Sequence, residues 1–155
     1  MIRTLLSHDR EPIVNILIST KFFSEEEVSI AKEILDIYID DQNQKDYLMY
    51  VSEENDLVTG YVCIGKTPAT VGTFDLYWIA VDPSIQGKGV GTQLFNYIKN
   101  QIKELAGNLI IAETSSTEKY ISTQKFYEAK GFELFTRIKN YYKPNDDLMI
   151  YGIYI

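Results

Sequence analysis

The sequence predicts a mixed α/β (α+β) fold, one domain over residues 1–155, with about seven strands and about four helices. Three observations predict it. The hydrophobic period switches repeatedly between helical spacing and strand alternation. Two pairs of strand-like runs are joined by short polar turns, as in hairpins. A glycine-rich segment, "VDPSIQGKGVG" from Val81 to Gly91, falls between an apolar strand and an amphipathic helix. The length suits a single domain with a sizeable core, and a hydrophobic content of 45% excludes a disordered chain.

The elements follow in order. "IRTLL" reads as a short first strand. "DREPIVNILIST" reads as a helix with Asp9 as N-cap and Pro12 in the first turn. "SEEEVSIAKEILDIYI" opens with a capping box, Ser24 with Glu27, and carries Val28, Ala31, Leu35 and Tyr38 at helical spacing. "DYLMYVSE" and "LVTGYVCIG" form an antiparallel hairpin around Glu54-Asn55-Asp56. In the third long strand, "GTFDLYWIAV", Phe74, Leu76 and Trp78 alternate with Thr73, Asp75 and Tyr77. "GTQLFNYIKNQIKELAG" presents a stripe of Leu94, Tyr97, Ile98, Ile102 and Leu105, with Gly107 as its stop. "NLIIAETS" is a strand, and "YISTQKFYEAKG" a helix closed by Gly131. "FELFTRIKNYY" and "LMIYGIYI" make a last hairpin around "KPNDD".

Composition narrows the function. The net charge is −7, with no basic patch, which argues against a nucleic-acid partner. No apolar run approaches the roughly 18 residues of a membrane span, and the N-terminus lacks a signal-peptide pattern, so a cytoplasmic protein is expected. The single cysteine, Cys63, has no partners for a disulfide or a zinc site, and no metal is expected. His8, the one histidine, reads as a helix-start residue. Acidic residues crowd Ser24 to Asp56. They read either as a solvated helix face or as an electronegative wall that attracts a cation.

A glycine-rich turn from strand to helix commonly receives phosphate, because backbone N–H groups converge at the helix N-terminus. Two phosphate-binding patterns are excluded. A Walker loop needs Ser or Thr after the lysine, and Lys88 is followed by Gly89. A dinucleotide fingerprint needs a third glycine, where this chain has Thr92. What the segment does contain is Gln86-x-x-Gly89-x-Gly91, directly after "YWIAVDPSI". This stretch resembles the acetyl-CoA-binding motif of the GNAT N-acetyltransferases. "YISTQKFYEAKGFE" is similar to the helix-plus-"FYEKLGF" signature of the same superfamily. The element order agrees as well, so the resemblance covers nearly the whole chain.

The resemblance implies a central mixed, mostly antiparallel sheet, splayed between the fourth and fifth strands. It implies that acetyl-CoA is the cosubstrate and that its pyrophosphate is wrapped by backbone of Gln86, Gly87, Lys88, Gly89, Val90, Gly91 and Thr92, with Gly89 and Gly91 allowing close approach. Lys88 either approaches a phosphate or stays in solvent. The pantetheine arm would pair with backbone groups of Ile79, Ala80 and Val81, and Pro83 would end that strand. Tyr120, Thr123 and Tyr127 would share one helix face toward the coenzyme, with Phe126, Ser122 and Ala129 turned to packing. Many relatives have asparagine where this chain has Tyr120.

Acyl transfer from a thioester to an amine requires a neutral amine, a stabilised oxyanion and a protonated leaving thiolate. The resemblance implies Tyr127 as the general acid. Asp75 and Glu113 are the alternative carboxylates for the base, directly or through water. The implied activity is N-acetylation of a primary amine, small and cationic or neutral, by direct attack through a tetrahedral intermediate. A CoA-binding module without turnover is the alternative. A homodimer is one of the open oligomeric states.

Overall fold

The computed structural model describes residues 1–41 and 43–155. Its elements are β1 (Ile2–Thr4), α1 (Arg10–Ser19), α2 (Glu25–Asp40), β2 (Leu48–Glu54), β3 (Leu57–Lys66), β4 (Thr73–Val81), α3 (Val90–Glu104), β5 (Leu109–Ser115), α4 (Ile121–Ala129), β6 (Glu133–Lys143) and β7 (Asp146–Tyr154). The strands form a mixed seven-stranded sheet in the order β1-β2-β3-β4-β5-β7-β6. The chain divides into two compact units. One comprises Met1–Gly65 with Trp78–Gln101, the other Lys66–Tyr77 with Ile102–Ile155.

In the first unit, α1 and α2 supply Ile13, Leu17, Val28, Ala31 and Leu35 to a core completed by Met49, Val51, Tyr61 and Cys63 of β2 and β3. Each Ile, Leu, Val or Met among them contributes about 1.5–3 kcal/mol on burial. The capping box of α2 is formed. Glu27 N–H donates to Ser24 Oγ at 3.1 Å, and Ser24 N–H to Glu27 Oε2 at 2.7 Å. The β2–β3 hairpin turns on Asn55 and Asp56, both in the left-handed region (φ 51° and 62°). These are the residue types that tolerate such a turn.

Asp9 departs from the expectation. It ends a 3₁₀ turn, Ser7–Asp9, and its carboxylate does not cap α1. The carboxylate instead accepts Leu6 N–H at 2.8 Å and the two Nη atoms of Arg3 at 2.6 and 2.9 Å. Arg3 also bonds Glu53 through Nε at 2.9 Å. Asp9 is fully buried, and a buried carboxylate needs such a charged partner more than a helix needs one cap.

In the second unit, β4 and β5 run parallel from Thr73↔Leu109 to Leu76↔Ala112. Both strands continue past the end of this short ladder, which is where the splay was expected. The last hairpin forms, but its second strand, β7, lies beside β5 and pairs antiparallel from Leu109↔Tyr154 to Ser115↔Leu148. Asp146 and Asp147, expected in the turn, begin β7 and are buried. Ser115 Oγ donates to Asp146 Oδ1 at 2.5 Å, and Arg137 Nε to Asp147 Oδ2 at 2.5 Å. Satisfied carboxylates can sit in a strand.

The stop of α3 also differs. The helix ends at Glu104, and Leu105, expected in the buried stripe, is 54% exposed. Phe95, absent from that stripe, is buried. The left-handed residue is Ala106 (φ 59°), not Gly107. Gly107 N–H donates to Ile102 O at 2.8 Å and Ala106 N–H to Lys103 O at 3.0 Å, the paired bonds of a Schellman motif. Gly107 is required for space instead. A Cβ there would lie 2.3 Å from Ile102 Cγ2 and 2.8 Å from Phe74 Cε2.

Candidate functional site

The glycine segment closes β4 and opens α3. Asp82 N–H donates to Thr59 O at 2.9 Å. Asp82 Oδ1 accepts Ser84 N–H at 2.8 Å and Ser84 Oγ at 2.7 Å, which folds the turn behind Pro83. Gly87 and Gly89 are left-handed (φ 81° and 87°), and a Cβ on either would meet nothing within 4 Å. These glycines are therefore demanded by backbone conformation and by an open approach, not by internal packing. Gly91 stands within the first turn of α3 rather than in the loop. The first helical bond runs from Gln93 N–H to Gly89 O at 3.0 Å. The N–H groups of Val90 and Gly91 precede that ladder, at the positive end of the helix dipole. Gln86, Gly87, Lys88 and Gly89 are exposed, while Val90 and Thr92 are half-buried.

Ala80 is buried, and Ile79 and Val81 are half-buried at the end of β4. Gln86 Nε2 donates to Val81 O at 3.3 Å, so its side chain reaches back to the strand it follows. Sequence reasoning missed Gly60. A Cβ at Gly60 would lie 2.8 Å from Ala80 O, 3.2 Å from Leu94 Cδ1 and 3.3 Å from Val90 Cγ1. The absent side chain lets the start of α3 settle against β3 and β4. An isolated glycine within a strand pattern was the available signal.

The second unit holds the three residues of the implied chemistry. Asp75 pairs with Ile111 across the parallel ladder, and Glu113 lies two residues further along β5, so Asp75 and Glu113 share one face. Asp75 Oδ2 accepts Thr67 Oγ1 at 2.7 Å, and Thr67 N–H donates to Thr73 O at 2.9 Å. Thr67 thus holds the Asp75 carboxylate in place, and no sequence pattern marked it. Partial burial raises the Glu113 carboxyl above its ordinary value, and the negative charge of Asp75 adds to the rise. A carboxyl so tuned is better matched to proton transfer near neutrality.

Tyr127 is on the other face. Its ring lies 5.7 Å from that of Tyr151, which pairs with Ala112, a neighbour of Leu76. Burial raises the Tyr127 hydroxyl far above its usual value. Among the described residues no hydrogen bond ends on this hydroxyl, and no buried side-chain oxygen is left unpaired. Tyr127 is buried among the rings of Phe126, Phe132 and Tyr151. Thr123 is half-buried on α4. Tyr120 is not a residue of that helix. It ends a 3₁₀ turn, Glu118–Tyr120, at the N-cap position. Ser122 and Ala129, expected to pack with Phe126, are exposed, and Tyr127 is the buried residue of α4.

Among the described residues there is no cluster of His, Cys, Asp and Glu suited to a metal ion, and no helix is long and apolar enough to cross a membrane. The acidic segment divides. Asp36 is paired with Arg10 and Glu53 with Arg3, whereas Glu25, Glu26, Glu33, Glu54 and Asp56 are exposed.

Residues 45–134 match the acetyltransferase (GNAT) domain family. A Desulfovibrio desulfuricans protein assigned to the GNAT acetyltransferases is 37% identical, with a TM-score of 0.94 over 99% of this chain and 98% of that one. An aminoglycoside 6'-N-acetyltransferase, solved with coenzyme A, shares the fold at 14% identity, with a TM-score of 0.79 over 99% of this chain and 96% of that one. S-(2-succino)cysteine N-acetyltransferase of Bacillus subtilis (strain 168) is 26% identical over 95 residues, which span 59% of this chain and 58% of that enzyme. The strand-to-helix glycine loop, the parallel β4–β5 pair and the tyrosine of α4 thus belong to a member of the GNAT acetyltransferase family.

Proposed function

We propose that this chain is one catalytic domain that transfers the acetyl group of acetyl-CoA to a primary amine. The observation that carries the reading is the pair of left-handed, unobstructed glycines, Gly87 and Gly89, opening onto the N-terminus of α3. That arrangement suits a pyrophosphate, which would rest on backbone N–H groups between Gln86 and Thr92. Ile79, Ala80 and Val81 would pair with the pantetheine arm, and Tyr120 and Thr123 would border it.

In the proposed reaction the amine nitrogen attacks the thioester carbon. A C–N bond forms, the tetrahedral intermediate collapses, and the C–S bond breaks. The proton released by the amine passes to Asp75 or Glu113, directly or through water, and Tyr127 gives its hydroxyl proton to the departing sulfur.

The acceptor is read as cationic or neutral. A lysine-type amine has a pKa of about 10.4 and arrives protonated at neutral pH. Carboxylates at Asp75 and Glu113 attract that cation and repel an acceptor with several carboxylates of its own. The test is calorimetry with acetyl-CoA, followed by mass detection of acetyl transfer to polyamines, arylalkylamines, aminosugars and S-(2-succino)cysteine. Acetyl-CoA binding with transfer to the cationic amines is expected. Failure of acetyl-CoA to bind overturns the function, and preference for the acidic acceptor overturns the electrostatic part alone.

A further inference from the structure

On the face that carries Asp75 and Glu113, the register places Asp75, Ile111 and Gly152 in one row across β4, β5 and β7. Gly152 has no side chain to present there, and Phe135 fills the space. A Cβ at position 152 would lie 2.1 Å from Phe135 Cε2. Phe135 can reach this position because the β6–β7 register skips it. Leu134 pairs with Tyr151 and Thr136 with Ile150, so Phe135 is a bulge residue. Its ring lies across β7, 5.9 Å from the ring of Tyr154 at an interplanar angle of 37°. Phe135 is nevertheless 41% exposed and Tyr154 74%. A glycine inside a strand and a bulge in the strand beside it each weaken a sheet. Together they lay an uncovered aromatic shelf one strand from Glu113 and two from Asp75, strand separations of about 5 and 10 Å.

Resting on the reading of Asp75 and Glu113 as the carboxylates that receive the acceptor, we propose that the acceptor is an arylalkylamine or a similarly flat apolar primary amine. The ammonium lies against Asp75 and Glu113, the chain crosses Ile111, and the flat body stacks on Phe135 and Tyr154. A polyamine satisfies the carboxylates but leaves the shelf wet. Ring stacking adds specificity because it depends on a flat partner. Phe135 is then the specificity-determining residue.

The experiment titrates phenethylamine and spermidine separately into wild type and Phe135→Ala, each with CoA present, and follows the Tyr154 ring resonances in wild type. Phenethylamine is expected to bind wild type more tightly than spermidine and to shift the Tyr154 resonances. In Phe135→Ala its affinity is expected to fall about tenfold or more, equivalent to about 1.4 kcal/mol, with spermidine and CoA binding unchanged. Tighter binding of spermidine to wild type, equal loss of both amines in the variant, or unmoved Tyr154 resonances overturns the proposal. So does a wild-type dimer that Phe135→Ala splits, since the shelf is then covered by a second copy. If acetyl-CoA binds and spermidine is acetylated while phenethylamine does not bind, the shelf fails and the acetyltransferase reading stands. If acetyl-CoA does not bind, that reading fails, and the phenethylamine isotherm without CoA still decides the shelf.

Discussion

Phe132 locks the end of α4 onto Tyr127. Its N–H donates to Tyr127 O at 3.0 Å, and the two rings lie 5.2 Å apart. Gly131, at φ 90°, donates to Glu128 O at 3.0 Å, so the C-terminus of α4 is a complete Schellman motif with its apolar contact. The proposed acid is thus held at both backbone and ring, which fixes where its hydroxyl points.

Because that hydroxyl has no hydrogen-bond partner among the described residues, Tyr127→Phe should change stability by less than about 1 kcal/mol. Acetyl-CoA affinity should also hold, while kcat falls by about 10²-fold or more, the low end for loss of a general acid. Thermal melts, calorimetry and steady-state rates on one preparation check this. Unchanged kcat would make Tyr127 a packing residue only.

The loop gives a second prediction. Gly89→Ala places a methyl where nothing lies within 4 Å, but at φ 87°, which an L residue resists by about 1–2 kcal/mol. The variant should fold, and its loop should adopt another conformation. Affinity for acetyl-CoA should fall at least tenfold, measured by calorimetry, with the circular dichroism spectrum unchanged.

The two helix stops allow a paired test. Ala106→Gly relieves a left-handed alanine and should stabilise the protein by about 0.5–1 kcal/mol. Tm should rise by a few degrees, roughly 2–4 °C per kcal/mol at this size. Gly107→Ala should do the reverse, at a cost of about 1–3 kcal/mol, because its Cβ meets Ile102 and Phe74. Equal melting temperatures for the two variants would refute the assignment of conformation to one residue and space to the other.

The Arg3–Asp9 pair predicts an acid response. Burial alone would raise the Asp9 carboxyl, but the Arg3 hydrogen bonds and Leu6 N–H hold it below its ordinary value. A depressed carboxylate contributes stability above its unfolded pKa of about 3.9 and loses that contribution as pH falls through the folded value. The Tm gap between wild type and Asp9→Asn should therefore be widest near neutral pH and shrink below about pH 4. Arg3→Met, which leaves Asp9 buried without its partner, should cost about 3–5 kcal/mol by urea denaturation.

The activity should depend on Glu113. If it is the base, kcat/KM rises with pH as this carboxyl, displaced upward by burial and by Asp75, loses its proton. Glu113→Gln should remove that limb and lower kcat/KM by about 10²-fold. If Asp75→Asn removes it and Glu113→Gln does not, the base is Asp75.

The sequence by itself determined the element order, the two capping signals of α2, the hairpin turn at Asn55-Asp56 and the strand-to-helix glycine loop. Each is a local matter. Backbone conformation and hydrophobic period are set within a few residues, so Ser24, Glu27 and Gly89 carry their own message. Tertiary structure decided the rest. That β7 and not β6 lies beside β5 depends on which edge the last hairpin presents. That Asp9 serves Arg3 instead of capping α1 depends on a strand six residues away and on Glu53, far along the chain. Gly60 and Gly152 are glycines for the sake of Ala80 and Phe135, partners remote in sequence, and Gly107 makes room for remote Phe74 as well as nearby Ile102. Asp75 acquires Thr67 through the β3–β4 connection and shares a face with Glu113 through the parallel register. Close packing has no local signature. A missing side chain is explained only by the atom that occupies its place, and that atom is brought there by the fold.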